Sequence, residues 1–232
     1  NKNNLIMYIE EEKITRFEKF KVYRNFITPT YQKEIAAAIN QASWVYQTNM
    51  DLSYTDPNET DLMRKQGMTH AELKYEMEHG YQQFMYNIFN ALTNTGVPEV
   101  TPLHYALIGL TSKITDEILP GFHNYRTRAV LHTDMKNAPK HYIPHTDVQA
   151  ASNSKEVWSF IYYPIDCTGK THLFYETCHE VLLGKRRSHE WKSLHSVTPK
   201  AGTLIQFPSK QYHCGSPPSQ GYRCAINFNY TT

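Results

Sequence analysis

The hydrophobic positions of this chain change period along its length, and the change predicts where helices give way to strands. Residues 18–27 (EKFKVYRNFI) alternate apolar and polar side chains, the pattern of an edge strand. TPTYQKEIAAAI follows, with Thr28 placed to cap a helix and Pro29 at its first position, where a missing N–H does no harm. Residues 46–68 are polar and irregular, with Asp56-Pro57-Asn58 as turn chemistry, which predicts a loop. From Thr69 onward apolar residues recur at steps of three and four: Tyr81, Phe84, Met85, Ile88, Phe89 and Leu92. That spacing predicts one face of a long core helix ending near Thr95-Gly96. Residues 103–118 fit helix and strand equally, and Pro120-Gly121 ends them.

Beyond that point every segment reads as β. Strands are predicted at about 124–134, 139–147, 156–163, 171–176, 179–183, 191–198, 203–207, 211–214 and 222–230, separated by turn residues at short intervals. Helices followed by many short strands predict an α+β chain whose second half is a double-sheet barrel of jelly-roll type packed against N-terminal helices. The whole chain, 1–232, reads as a single domain, with 1–120 as a helix-rich supporting and covering region and 121–232 as the core.

Composition narrows the partners. With 40% hydrophobic and 20% charged residues and a formal net charge of +2, the chain has the balance of an ordinary globular protein, and nucleic acid is not indicated. The one basic run, GKRRSHEWK (184–192), reads as a solvated hairpin tip. No apolar run approaches the ~18 residues that span a bilayer, and the polar start does not resemble a signal peptide, so a soluble, cytoplasmic protein is expected. Cys167, Cys178, Cys214 and Cys224 show no CxxC spacing, which leaves them as reduced thiols rather than a disulfide framework or a zinc cluster.

The chemistry lies in the histidines. Three stand two residues before an acid: His70-Ala71-Glu72, His132-Thr133-Asp134 and His145-Thr146-Asp147. The first falls at an expected helix start, where the dipole accounts for the glutamate. The other two are expected on neighbouring strands of a hairpin turned by MKNAPK, one as a ligand pair and the other beside it. Residues i and i+2 of a strand point the same way, so a His-x-Asp offers two ligands from one strand end. Two histidines and one carboxylate hold a non-haem iron(II) while leaving positions open. A third ligand must come from elsewhere, and His213 is the candidate, at the end of a short strand after Pro208-Ser209-Lys210. Ten residues later Arg223 heads the last strand, where an arginine needs either a rim position or a dedicated anion.

The segments HYIPHTD, VWSFIYYPIDCTGKTHLFYE and VTPKAGTLIQFPSKQYHCGSPPSQGYRCAINF together resemble the iron(II) and 2-oxoglutarate-dependent dioxygenases, in particular their prolyl 4-hydroxylase-like branch. The likeness spans about 122–230, with a weaker echo in KVYRNFITPTYQKEIAAAI. It implies a double-stranded β-helix in which His145, Asp147 and His213 bind iron and Arg223 pairs with the distal carboxylate of 2-oxoglutarate, a bidentate contact that lysine does not reproduce. YIPHTD, with its proline before the histidine, is the segment most like the family's metal strand. Tyr163 resembles the tyrosine that adds a hydroxyl to the same carboxylate. His132 falls where relatives often place a pocket-facing residue, which makes it either a neighbour of the cosubstrate or a surface histidine. Relatives commonly show paired glycines before the strand matched by THLFYE, whereas here Lys170 follows Gly169, so either Thr171 or His172 faces the pocket.

The activity implied is hydroxylation of a C–H bond by dioxygen, coupled to decarboxylation of 2-oxoglutarate to succinate, with ascorbate compatible as an accessory reductant. Asp147, a carboxylate where related halogenases bind halide, favours hydroxylation. Peptidyl proline is the leading substrate, covered by residues 46–68 and 134–140. The alternatives are a free amino acid, a small metabolite or a nucleobase. In a different class stands a cupin-like barrel that binds metal or ligand without turnover, against which Arg223 argues, because such a barrel needs no carboxylate clamp.

Overall fold

The computed structural model describes residues 8–12, 20–47, 83–91, 99–134, 140–142, 144–147, 156–177 and 193–232. In chain order its elements are β1 (Tyr8–Glu12), β2 (Phe20–Arg24), α1 (Pro29–Asn40), β3 (Val45–Gln47), β4 (Gln83–Asn90), β5 (Glu99–Val100), α2 (Pro102–Glu117), β6 (His123–Thr133), β7 (Val157–Tyr163), β8 (Thr171–Thr177), β9 (Ser193–Val197), β10 (Thr203–Pro208), β11 (Gln211–Gly215) and β12 (Tyr222–Thr231). A large antiparallel sheet runs β1-β2-β10-β7-β12-β6-β4-β3, with β5 added at β4, and a small sheet runs β11-β8-β9. The architecture is the expected α+β double-stranded β-helix, and the two sheets do not close into a continuous barrel.

Strand alternation divides the interior in two. On β12, Cys224, Ile226, Phe228 and Tyr230 pack toward the helices, together with Phe160 and Tyr162 of β7 and Leu204 of β10. The intervening residues, Ile161, Tyr163, Ile205, Phe207 and Ala225, join Leu173 and Val197 of the small sheet in a second core. Arg223, Asn227 and Asn229 share the parity of Ala225 and so face the small sheet. Burial on both faces makes β12 the centre of the molecule. Phe228→Ala should therefore lower unfolding free energy by about 3–5 kcal/mol, read from the urea midpoint, because the large cavity it leaves cannot collapse against so many neighbours.

The helices meet the sheet through regular apolar stripes: Ile35 and Ile39 on α1, Leu103, Leu107, Leu110 and Ile114 on α2. Thr28 caps α1 as expected, its hydroxyl accepting from the Tyr31 N–H at 3.3 Å, with Pro29 in the first turn. Tyr31 joins the two helices by donating to the Ala106 carbonyl at 2.8 Å and accepting from the Leu110 N–H at 3.1 Å. Gly109 permits this approach, since a β-carbon there would stand 3.1 Å from the Tyr31 oxygen.

Several expectations need correction. The stretch around Phe84, Met85, Ile88 and Phe89 is strand β4, not helix. Its apolar residues lie on both faces, and a bulge sets Ile88 as an extra residue between Asn87 and Phe89, so the spacing imitates a helical period. Ile88 enters the helical core and the Phe89 ring stacks on His104 of α2, centroids 5.0 Å apart. Among the described residues the first half is mixed: β1 to β5 extend the large sheet beside helices α1 and α2. The ambiguous 103–118 stretch is helix α2.

The expected hairpin of the two HTD motifs does not form. Both edges of β6 are taken, one by β12 and the other by β4, so the next segment cannot pair with it. The chain crosses instead to the small sheet, and the predicted 139–147 strand reduces to an isolated bridge between His145 and His213. Most of the predicted 46–68 loop, Tyr81, Leu92, the 179–183 strand and the 184–192 loop lie outside the described residues. No described helix is long and apolar enough to cross a membrane.

Candidate active site

His145 and His213 are joined by a reciprocal pair of backbone hydrogen bonds, both 2.9 Å, and the Asp147 N–H donates to the Ser209 carbonyl at 3.0 Å. These contacts carry the HTD segment alongside β11, and the candidate ligand atoms of His145, Asp147 and His213 all lie within 4.8 Å of one another. The His213 ring is held from behind. Its Nδ1 lies 3.0 Å from the Gln211 carbonyl, which turns Nε2 toward Asp147 Oδ2, 3.7 Å away. The Gln211 side chain is itself fixed by donating to the Phe174 carbonyl.

Asp147 sits in a polar cradle that the sequence reading did not single out. The Ser159 hydroxyl donates to Oδ2, and the Asn227 amide spans both oxygens at 3.1 and 3.2 Å. Ser159 in turn contacts Ser209 at 2.7 Å and accepts from the Asn229 amide at 3.0 Å. Arg126 donates to the Asn229 side chain at 2.8 Å and to the Asp147 carbonyl at 3.2 Å. Its Nη2, like that of Arg128, also stands near Oδ1, at 3.5 and 3.7 Å respectively. Burial alone would raise the carboxyl's pKa, but His213, Arg128, His145 and Arg126 outweigh it and hold the group well below the usual carboxylate range. Asn227 and Asn229 were legible in principle, as polar residues at the inward parity of a strand buried on both sides.

Arg223 is buried, not on the rim: it is 3% exposed. Its Nη2 donates to Thr171 Oγ1 at 2.7 Å, while its buried Nε has no hydrogen-bond partner among the described residues. The Tyr163 hydroxyl donates to the same Thr171 oxygen at 2.7 Å. With both lone pairs engaged, the Thr171 hydroxyl is left with its own hydrogen for an acceptor in the cavity. Burial pushes the Tyr163 phenol up to about 12 despite Arg223, so it stays a donor.

Two glycines make room for this group. A β-carbon on Gly215 would come within 3.3 Å of the guanidinium, and one on Gly169 would stand 2.5 Å from the Ser216 carbonyl. The register left open by the sequence is also fixed: Thr171 lines the cavity, whereas His172 turns to Ser196, 2.8 Å away.

His132 is no surface residue. It is 4% exposed and its ring stacks on Tyr142 with centroids 4.4 Å apart. Burial, with the charges of Arg223 and His145, pushes its pKa well below the ordinary value, so the ring is neutral, and Nδ1 has no hydrogen-bond partner among the described residues. A cavity lies between these groups. His145 and His213 line it together with Thr171, Arg223, His132 and Arg128.

Two histidines and a carboxylate face an arginine across this cavity, between the sheets of a double-stranded β-helix, and form a donor set that suits a non-haem metal. Residues 125–231, which contain every side chain of that site except those of the small supporting contacts from β4, match the family model described as the 2OG-Fe(II) oxygenase superfamily. That segment, a little under half of the chain, is similar to a superfamily named for iron(II) and 2-oxoglutarate.

Solved structures agree on the fold. An oxidoreductase of the 2OG-Fe(II) oxygenase family from Burkholderia pseudomallei superposes with a TM-score of 0.55 at 12% identity, covering 90% of this chain and 82% of its own. HygX from Streptomyces hygroscopicus, solved with nickel and 2-oxoglutarate bound, gives 0.53 at 11% identity over 91% and 82%. AviO1 from Streptomyces viridochromogenes Tue57 gives 0.50 at 11% over 94% and 91%. No curated protein is detectably similar to the chain in sequence.

Proposed function

We propose that this protein hydroxylates a C–H bond of its substrate, with 2-oxoglutarate decarboxylated to succinate and carbon dioxide in the same turnover. The observation that carries the reading is one cavity with His145, Asp147 and His213 on one side and the buried Arg223–Thr171–Tyr163 group on the other. The residues fit the group the family uses. Three ligand atoms converge, and Arg223 keeps a buried N–H without a protein partner, which costs stability unless a ligand accepts it.

His145, Asp147 and His213 would hold iron(II), which when bound supplies activation of dioxygen with 2-oxoglutarate as the electron source. Arg223 would take the distal carboxylate of 2-oxoglutarate by its guanidinium edge, and Thr171 would add its hydroxyl hydrogen, with Tyr163 behind fixing the Thr171 rotor. His132, neutral and with a buried Nδ1 that has no hydrogen-bond partner among the described residues, would donate or accept at the cosubstrate's other end. Ser159 and Asn227 keep Asp147 oriented and ionised. Val130, Ile161 and Ala225 line the remaining wall and exclude water from the reacting centre.

The substrate we assign is proline in a peptide. What supports it is the run of motifs around HYIPHTD, the YY pair and Arg223 that resembles prolyl 4-hydroxylases. Incubated with 2-oxoglutarate, iron(II) and air, the protein should release succinate, and a strong chelator should suppress that release to background. Peptides containing proline should gain one oxygen by mass spectrometry. Succinate release that a chelator leaves intact would overturn the assignment.

A further inference from the structure

Strand pairing lays the cavity floor out in rows across β12, β6 and β4. Arg223 pairs with His132, Ala225 with Val130 and Met85, and Asn227 with Arg128 and Asn87. The rows at the two ends each hold an arginine, with an apolar row between them. Four residues separate Arg223 from Asn227 along β12, roughly 13 Å at ~3.4 Å per residue. The row of Arg223 is closed, whereas Arg128 is 21% exposed and lines the same cavity, so its row lies toward solvent. A cosubstrate bound as proposed leaves this second arginine on the side from which substrate enters.

We propose that Arg128 binds a carboxylate of the substrate, and that this carboxylate belongs to the residue that is hydroxylated. The inference rests on the reading of the site given above and narrows its substrate. A guanidinium has five N–H donors in a planar fork, and Arg128 both keeps its 3.7 Å contact with Asp147 and lines the cavity. The cations already gathered here, Arg126, Arg128 and Arg223, are joined by iron(II) when the site is loaded. Asp147 and the two carboxylates of 2-oxoglutarate leave an excess of positive charge, and a partly buried site favours an anion that offsets it.

Distance then sets which carboxylate. Arg128 stands within 4 Å of a candidate metal ligand, so an anion held by its guanidinium and a C–H bond held at the metal lie within the span of one residue. An acidic neighbour further along a peptide would not be held there. For proline in a peptide this means the C-terminal residue, with its α-carboxylate intact, rather than one within the chain.

The test is calorimetric titration into protein loaded with manganese(II) and saturated with 2-oxoglutarate, using N-acetyl amino acids and their amides as probes, N-acetyl-proline and N-acetyl-prolinamide first. The acid should bind about tenfold or more tighter than the amide. Arg128→Gln should erase the difference, and Arg128→Lys should restore part of it. N-acetyl-glutamic acid amide separates a side-chain carboxylate from the α-carboxylate. Acid and amide bound equally across the set, or an acid preference that survives Arg128→Gln, would overturn the proposal. Failure of the protein to take up metal or 2-oxoglutarate strikes the reading of the site instead, and an acid preference shown only by a residue other than proline strikes the proline assignment alone.

Discussion

His145→Ala should abolish iron(II) binding, and succinate release with it, whereas His132→Ala should retain the metal and weaken only 2-oxoglutarate. Loss of a hydrogen bond that supports a ligand typically reduces metal affinity by about 10–100-fold, so removal of a ligand itself should exceed that range. The two histidines are chemically alike in sequence, each followed by Thr-Asp, and the fold is what separates them. His145 faces His213 across the bridge, ring centroids 4.6 Å apart, while His132 stands on β6 opposite Arg223. Anaerobic titration of manganese(II) or iron(II) into the two variants distinguishes them, and the reverse pattern would mean that the other HTD segment carries the metal.

Arg223→Ala should weaken 2-oxoglutarate by on the order of 30-fold or more, from the ~2–5 kcal/mol lost when one partner of a buried charged pair is truncated. Metal affinity should change little, since Arg223 is not among the converging ligand atoms. Arg223→Lys should recover only part of the loss, because the Thr171 hydrogen bond and the second guanidinium edge cannot both be replaced by a single ammonium. Calorimetry of 2-oxoglutarate with the three metal-loaded proteins reads the effect directly. Equal affinities would show that the cosubstrate's distal carboxylate lies elsewhere.

The C-terminal strands were legible because those of the large sheet alternate helix-facing with sheet-facing residues, and turn residues mark the ends of all of them. β7, β8, β10, β11 and β12 fall within one or two residues of the stretches read from the pattern. β4 was not legible as a strand, because a bulge and apolar residues on both faces reproduce a helical spacing. The convergence of His145, Asp147, His213 and Arg223 could be anticipated only from the order of motifs, since the sheet crossing that brings the HTD segment to β11 depends on which edges of β6 are already occupied. Ser159, Asn227, Asn229 and Arg128 escaped notice for a simpler reason: single polar residues in a strand look solvent-facing until the opposing sheet is known.

The two sides of the candidate site are anchored unequally. Asn227, Asn229 and Arg223 ride on a strand whose other face is locked into the helical core by Cys224, Ile226, Phe228 and Tyr230, so their positions change only if the whole molecule opens. The backbone bearing His145 and Asp147 is tied by a single bridge and a few hydrogen bonds, beside the side-chain contacts that hold Asp147. Substitutions in that short stretch would therefore alter the proposed metal centre with little effect on the stability of the fold.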